Sequence, residues 1–127
     1  MTIAFVGLGG NLGDPAATLQ SALRYLDQIR NTHLLQHSRF YRSQAVGPGR
    51  QPDYVNAVAQ VDTSLSPHEL LDELLAIETR HGRVRDGQRW GPRTLDLDLV
   101  IYAQLRLSDA RLTLPHRELM RRNFVLA

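Results

Sequence analysis

A run of residues in the middle of the chain decides the fold: positions 54–61 read YVNAVAQV. Every odd-numbered residue of this run is valine or alanine, whereas Tyr54, Asn56 and Gln60 share the other face with Val58. Because successive side chains of a β-strand point to opposite faces, this alternation predicts a strand with one buried face. We expect helices against the valine and alanine side, with Tyr54 and Asn56 on an open side.

The chain on either side of this run is also regular. Upstream, residues 34–41 read as another strand, and a loop rich in glycine, proline and glutamine follows over residues 43–52. Downstream, Ser66 and Glu69 have the spacing of a capping box. Leucines at helical spacing continue from there and stop near Gly82. The run therefore lies between a second strand and a second helix.

Three more elements complete the pattern. Residues 3–8 form a short apolar run, and Asp14 followed by Pro15 is typical of a helix start. Residues 95–102 read as a fourth strand, in which Leu95, Leu97, Leu99 and Ile101 are predicted to share the buried face. The order is β-α-β-β-α-β, which predicts an α/β (α+β) ferredoxin-like fold. Such a fold has an antiparallel four-stranded sheet, helices on one face and, here, long loops on the other.

Composition bounds the chemistry. The chain has 127 residues, enough for one domain, and 43% of them are hydrophobic. It has no cysteine, which excludes disulfides, zinc–thiolate sites and a cysteine nucleophile and suits a reducing cytoplasm. All 15 basic residues are arginine, which excludes a Walker lysine and Schiff-base chemistry. No apolar run is long enough to span a membrane. The first apolar run, residues 2–8, has no basic n-region before it, so we do not expect it to be a signal peptide.

The arginines are concentrated in two clusters, at positions 80–93 and 106–122. Guanidinium groups bind planar oxyanions with two hydrogen bonds, so the clusters point to phosphate or nucleic acid. A solvated basic surface explains them equally well at this stage.

Two aspartates supply the sharpest chemical signal. Asp96 and Asp98 lie two residues apart on the fourth strand, so both side chains point the same way, with Cα atoms roughly 6.5–7 Å apart. Carboxylates so placed can bind Mg²⁺, which also takes phosphate oxygens as ligands. Taken alone, the pair is more typical of a half-exposed strand facing water. The adjacent Arg89, Trp90 and Arg93 favour a nucleotide phosphate chain instead.

The glycine-rich segment at positions 7–13 allows two interpretations. It reads GLGGNLG between a strand and a helix, as in dinucleotide-binding proteins, but Leu12 stands where the third glycine of that motif belongs. A tight turn that needs glycine is the favoured interpretation.

Three side chains remain open to two interpretations each. Tyr54 beside Asn56 could stack a flat heterocycle and bind its edge, or lie on an ordinary sheet surface. Trp90 could anchor its loop or cover a substrate. His116 could donate to a phosphate oxygen, although a lone histidine is more often a surface residue.

Taken together, these segments resemble the 6-hydroxymethyl-7,8-dihydropterin pyrophosphokinase family of the folate pathway. The longest match is GRVR at 82–85 followed by RWGPRTLDLD at 89–98. Shorter matches are GGNL at 9–12, FYRS at 40–43, QPDYVN at 51–56, LPH at 114–116 and RNFVL at 122–126. The resemblance implies transfer of the β,γ-pyrophosphoryl group of ATP to the hydroxymethyl oxygen of the pterin.

The resemblance also implies roles for single residues. Asp96 and Asp98 would bind two Mg²⁺ ions and, with Arg83 and Arg93, would form the catalytic set. The residues implied for ATP are Glu78, Arg85, Arg89, Trp90, Thr113, His116 and Arg122. Those implied for the pterin are Ser43, Val46, Tyr54, Asn56 and Phe124.

The remaining expectations concern organisation and partners. We expect a single pyrophosphokinase domain over residues 1–127, without the C-terminal stretch with which the family normally continues. The expected partners are ATP and the pterin, with no nucleic acid or membrane, in a cytoplasmic monomer. One alternative is a non-catalytic relative that binds pterin or nucleotide and lacks activity because the C-terminus is short. An RNA-binding module is disfavoured, because the carboxylates would repel a phosphate backbone.

Overall fold

The computed structural model describes residues 1–43, 53–82 and 94–116. Two helices and seven strands lie in these ranges. They are β1 (Thr2–Gly10), α1 (Pro15–Gln28), β2 (Thr32–His37), β3 (Tyr41–Ser43), β4 (Tyr54–Thr63), α2 (Pro67–Arg80), β5 (Asp96–Tyr102), β6 (Leu107–Ser108) and β7 (Thr113–Leu114). No described helix is long and apolar enough to cross a bilayer.

The main sheet is antiparallel and has the strand order β2-β4-β1-β5, with β3 also paired to β4. The central strands β4 and β1 correspond to the predicted third and first strands. The predicted ferredoxin-like α/β fold is therefore confirmed. Ala57, Ala59 and Val61 of β4 are fully buried against the helices, as their spacing predicts. The face that carries Tyr54 and Asn56 is the opposite one, here called the open face.

Both helices begin where the sequence predicts. The Asp14 side chain accepts the Ala17 N–H at the start of α1. At the start of α2, Ser66 and Glu69 form the reciprocal capping box. The hydrogen bond from the Ser66 backbone to the Glu69 carboxylate, helped by the Ser66 side chain and by Arg30, lowers the pKa of Glu69 from its ordinary 4.5.

The prediction of one continuous second strand is wrong. Residues 34–41 do not form one strand, because β2 ends at His37 and β3 begins at Tyr41. Ser38 lies in the break and bridges it: its N–H donates to the Val58 carbonyl at 2.8 Å, and its Oγ accepts the Val58 N–H at 2.9 Å. A side chain thus replaces the backbone carbonyl in the ladder, which no alternation of apolar residues could indicate.

The predicted fourth strand is β5, and it contains a β-bulge. Residues beyond the bulge face the opposite way from the prediction. Val6 pairs with Leu99 but Phe5 pairs with Ile101, so Val100 is the extra residue. Leu97 and Leu99 are buried in the core as predicted, whereas Ile101 is not part of it. Beyond the bulge, Tyr102 packs against the core instead, and its hydroxyl donates to the Leu65 carbonyl.

A short hairpin formed by β6 and β7 follows the main sheet and was not predicted. The Asp109 carboxylate accepts hydrogen bonds from the Arg111 and Leu112 N–H groups within its turn. These bonds lower the pKa of Asp109, and the bond from Arg111 has the larger effect. His68 contacts Asp109 at 2.7 Å, and Arg111 pairs with Asp72 of α2. The hairpin is therefore fastened to α2 immediately before residues 114–116.

Candidate active site

A strip without side chains runs along the centre of the open face. It consists of Gly7 and Gly9 of the central strand β1, which we call the glycine strip. Gly9 pairs with Asn56 of β4 and, on its other side, with Asp96 of β5. Gly7 pairs with Asp98 of β5. The amide predicted for the pterin and the carboxylates predicted for metal therefore border the same strip.

The Asn56 carboxamide is hydrogen-bonded to Ser43 and lies close to Gly9. Its Nδ2 donates to the Ser43 Oγ at 2.7 Å, and the whole residue is only 3% exposed. A Cβ atom on Gly9 would come within 3.0 Å of the Asn56 Oδ1 and 3.8 Å of the Val55 carbonyl oxygen. Tyr54 lies two residues before Asn56 on β4, pairs with Ser43 of β3, and is half-buried. One end of the glycine strip thus carries an ordered amide beside an aromatic ring.

The glycine-rich segment is not the tight turn that the sequence favours. Gly7, Gly9 and Gly10 all belong to β1, and of the segment's glycines Gly13 alone has a positive φ, of 64°. The reason for Gly9 is the close approach of Asn56 rather than backbone freedom. The dinucleotide-binding interpretation also fails, because β1 is flanked by antiparallel strands.

The acidic side of the strip lies on β5. Asp96 and Asp98 are both half-buried, on the face opposite to the buried Leu97. The His116 Nε2 lies 3.7 Å from the Asp98 Oδ1. The His116 N–H donates to the Val100 carbonyl at 2.8 Å, so the residue after the hairpin is fixed beside the second carboxylate.

The donor set suits a hard divalent cation. Asp96 and Asp98 offer carboxylate oxygens on one face of one strand, and Mg²⁺ is commonly held by one or two carboxylates plus water and phosphate. Within the three described ranges, no group of three or more acidic, histidine or cysteine residues forms a complete metal site. By its chemistry, the pair fits an ion that takes further ligands from water or phosphate.

Glu78 lies on the other side of β5 from the carboxylate pair. It belongs to the last turn of α2 and is 3% exposed. Its Oε2 accepts the Leu97 N–H at 2.7 Å. Thr113, which is also predicted for ATP, lies half-buried in β7, three residues before His116.

Apart from Glu78 and Thr113, the described site residues divide into two groups. The structure places Ser43, Tyr54 and Asn56 on one side of the glycine strip and Asp96, Asp98 and His116 on the other. Eight further predicted residues lie outside the described residues. They are Val46, Arg83, Arg85, Arg89, Trp90, Arg93, Arg122 and Phe124.

Sequence reasoning missed the glycine strip as part of the site. The signal was present, since Gly7 and Gly9 alternate with the buried Val6 and Leu8 and must share the open face. The contact between Glu78 and the Leu97 backbone had no such signal, because it depends on how α2 packs against the sheet edge.

Comparisons with known proteins show the family to which this chain is similar. Residues 5–127 match the family described as 7,8-dihydro-6-hydroxymethylpterin-pyrophosphokinase (HPPK). Three similar relatives are each named 2-amino-4-hydroxy-6-hydroxymethyldihydropteridine pyrophosphokinase. The one from Haemophilus influenzae is 50% identical over 126 residues, covering 99% of this chain and 78% of the relative.

The other two cover different shares of their own length. The Pseudomonas putida protein is 52% identical over 117 residues, which is 91% of this chain and 96% of the relative. The Synechocystis protein is 50% identical over 123 residues, which is 97% of this chain and 62% of the relative. With identity near one half along nearly its whole length and a family match over residues 5–127, the chain belongs to the HPPK family.

Proposed function

We propose that this chain transfers the β,γ-pyrophosphoryl group of ATP to the hydroxymethyl oxygen of 6-hydroxymethyl-7,8-dihydropterin and releases AMP. The observation that carries the proposal is the row Asn56–Gly9–Asp96, in which an amide and a carboxylate flank a residue without a side chain. The amide is proposed to bind the heterocycle and the carboxylate to bind the metal. The names of the relatives support the same reaction.

The pterin is proposed to lie over the glycine strip. Asn56 would bind its hydrogen-bonding edge, because the Ser43 contact fixes which way the carboxamide points. Tyr54 would stack on the ring, with Phe124 on the other side. Asn56 and Asp96 lie two strands apart, which is roughly 10 Å at ordinary strand spacing. A bicyclic ring and its hydroxymethyl arm can bridge that distance.

The phosphate chain is proposed to lie over β5. Asp96 and Asp98 would hold two Mg²⁺ ions, and His116 would donate to a phosphate oxygen. Arg83, Arg93 and the other predicted arginines would neutralise the remaining charge. The chemistry that bound Mg²⁺ supplies is charge relief on phosphate oxygens and a lower pKa for a coordinated hydroxyl.

The protein's own contribution is alignment. The pterin oxygen attacks the β-phosphorus, the bond from that phosphorus to the oxygen of the α-phosphate breaks, and the hydroxyl proton is released. In-line displacement at phosphorus needs positioning and electrostatic stabilisation more than a covalent intermediate. No side chain is therefore required as a nucleophile, which agrees with the absence of cysteine and lysine from the sequence.

Product analysis tests the proposal. The protein is mixed with Mg²⁺ and ATP, with and without the pterin, and nucleotides are separated by chromatography. AMP that forms only with the pterin supports attack at the β-phosphorus, whereas ADP shows that the reaction class is wrong. Tight binding of both substrates without turnover favours the non-catalytic relative instead.

A further inference from the structure

A buried carboxylate is bonded to the backbone between the two aspartates. Glu78 is 3% exposed, and its Oε2 accepts the N–H of Leu97 at 2.7 Å. Leu97 lies between Asp96 and Asp98 in the sequence, and its own side chain is buried in the core. The bond therefore fixes the peptide unit that joins Asp96 to Leu97, one residue before Asp98.

The cost of burying this group points to a specific role. An ionised carboxylate removed from water loses several kcal/mol of hydration unless hydrogen bonds replace it. A residue such as leucine could fill the same space in α2 without that cost. Hydrogen bonds from backbone N–H groups to carboxylates are short and strong, which suits the observed 2.7 Å separation.

The position of β5 explains why its backbone needs support. Among the described strands it is the last of the sheet, and β1 pairs with it on one side. N–H groups on the outer side of an edge strand otherwise bond to water, and such segments open more readily than central strands. A pair of metal ligands on an edge strand keeps its spacing only if that strand is held.

We infer that Glu78 is a positioning residue for the metal site: its bond to the Leu97 N–H holds Asp96 and Asp98 in the arrangement that divalent cations bind. This inference rests on the proposed function, in which those two carboxylates hold Mg²⁺. It differs from the role in ATP binding implied for Glu78 by the family resemblance. Glu78 contacts the backbone at the outer edge of β5, whereas the nucleotide is proposed to lie over its open face.

The opposite edge of the sheet supplies a matched control. On β2, the other edge strand, the Leu34 N–H donates to the Asp27 Oδ1 at 2.9 Å. Asp27 belongs to α1 and is exposed. Removing it breaks the same kind of carboxylate-to-strand bond far from the site.

The experiment measures Mn²⁺ binding by electron paramagnetic resonance, in the presence of an unreactive ATP analogue. Glu78→Gln keeps an oxygen at the same reach, and we expect its Mn²⁺ dissociation constant to stay within about threefold of wild type. Glu78→Asp keeps the charge but withdraws the oxygen by one methylene group. We expect it to bind Mn²⁺ at least about tenfold more weakly, the usual effect of losing a group that orients metal ligands. Asp27→Ala should leave Mn²⁺ affinity unchanged.

A second titration separates positioning from direct nucleotide contact. The affinity for the ATP analogue without metal should be unchanged in both Glu78 variants. Loss of that affinity overturns the inference, as does a Glu78→Asp variant with near-normal Mn²⁺ binding or an equal loss in Asp27→Ala. Failure of the wild-type protein to bind Mn²⁺ removes the metal role itself, and this result is recognised before any variant is tested.

Amide hydrogen exchange in the wild-type protein needs no altered side chain. The Leu97 N–H should exchange about a hundredfold or more below the rate of an unstructured chain, because opening must break the Glu78 bond. Exchange at the unstructured rate overturns the inference even if the Glu78→Asp variant does not fold.

Discussion

Replacement of Gly9 by alanine should impair pterin binding without disturbing the nucleotide half of the site. The added Cβ would lie 3.0 Å from the Asn56 Oδ1, closer than ordinary van der Waals contact, so the carboxamide must move by a few tenths of an ångström. It cannot move freely, because its Nδ2 is bonded to the Ser43 Oγ at 2.7 Å and the residue is almost completely buried. Either the Ser43 bond lengthens or the Oδ1 turns away from the pterin edge.

The magnitude follows from the bond that is lost. One misaligned hydrogen bond costs about 1 to 1.5 kcal/mol, which corresponds to roughly a five- to tenfold increase in the pterin dissociation constant. Crowding in a packed site adds about 1–3 kcal/mol of lost folding stability. Part of this loss is offset, because alanine restricts the unfolded chain by about 0.4–1 kcal/mol relative to glycine.

Gly7→Ala is the matched control on the same strand and the same face. Its added Cβ would lie 3.5 Å from the Val100 Cγ2, which is an ordinary contact. The two variants are compared by fluorescence titration with the pterin, in the presence of Mg²⁺ and an unreactive ATP analogue, and by thermal unfolding. Pterin affinity of Gly9→Ala within twofold of wild type, or an equal loss in Gly7→Ala, refutes the reasoning from the close approach.

Three other predictions use the same description of the site and the capping box. Asp96→Ala and Asp98→Ala should each slow Mg²⁺-dependent turnover by at least about a hundredfold while circular dichroism stays unchanged, and a near-normal rate contradicts the metal role. Asn56→Ala should weaken pterin binding about five- to tenfold and ATP binding much less, so equal losses in the two titrations count against the edge contact. Because the pKa of Glu69 is lowered in the folded state, its stabilising effect is present above its ordinary 4.5 and is lost as pH falls through the lowered value. Urea unfolding across acidic pH should show this loss in wild type and a weaker slope in Glu69→Gln, whose side chain does not titrate, and identical slopes argue against the Glu69 carboxylate as its cause.

Much of the fold could be predicted because its signals are local. The alternation in residues 54–61 identified both faces of β4, and a cap before each apolar stripe identified where the helices begin. Alternation within each strand also predicts that Asn56 and Asp96 lie on the open face. It does not predict that both of their strands pair with β1. Parity within a strand needs no information about tertiary structure.

The features that escaped prediction depend on contacts between elements. Ile101 was assigned to the core because strict alternation was assumed, and a bulge at Val100 reverses the pattern there. The second strand was drawn through Ser38, whose side chain completes the ladder with β4. Gly9 was interpreted as a turn residue, although its requirement comes from Asn56 on the next strand.

The bulge in β5 lies outside the part of the strand that carries Asp96 and Asp98. The register shift lies between the Val6 and Phe5 pairs, so the Gly9 and Gly7 rows that carry Asp96 and Asp98 remain undisturbed. A one-residue slip in either row would turn its side chains to the helix face, and the buried Val6 and Leu8 oppose such a slip.

The bulge also supplies an attachment point for the residue that follows the hairpin. As the extra residue, Val100 has no partner position on β1, and its carbonyl accepts the His116 N–H at 2.8 Å. His116 is thereby held with its Nε2 3.7 Å from the Asp98 Oδ1. The bulge, which sequence alternation does not predict, therefore helps to hold the proposed phosphate-binding histidine beside the strand that carries the proposed metal ligands.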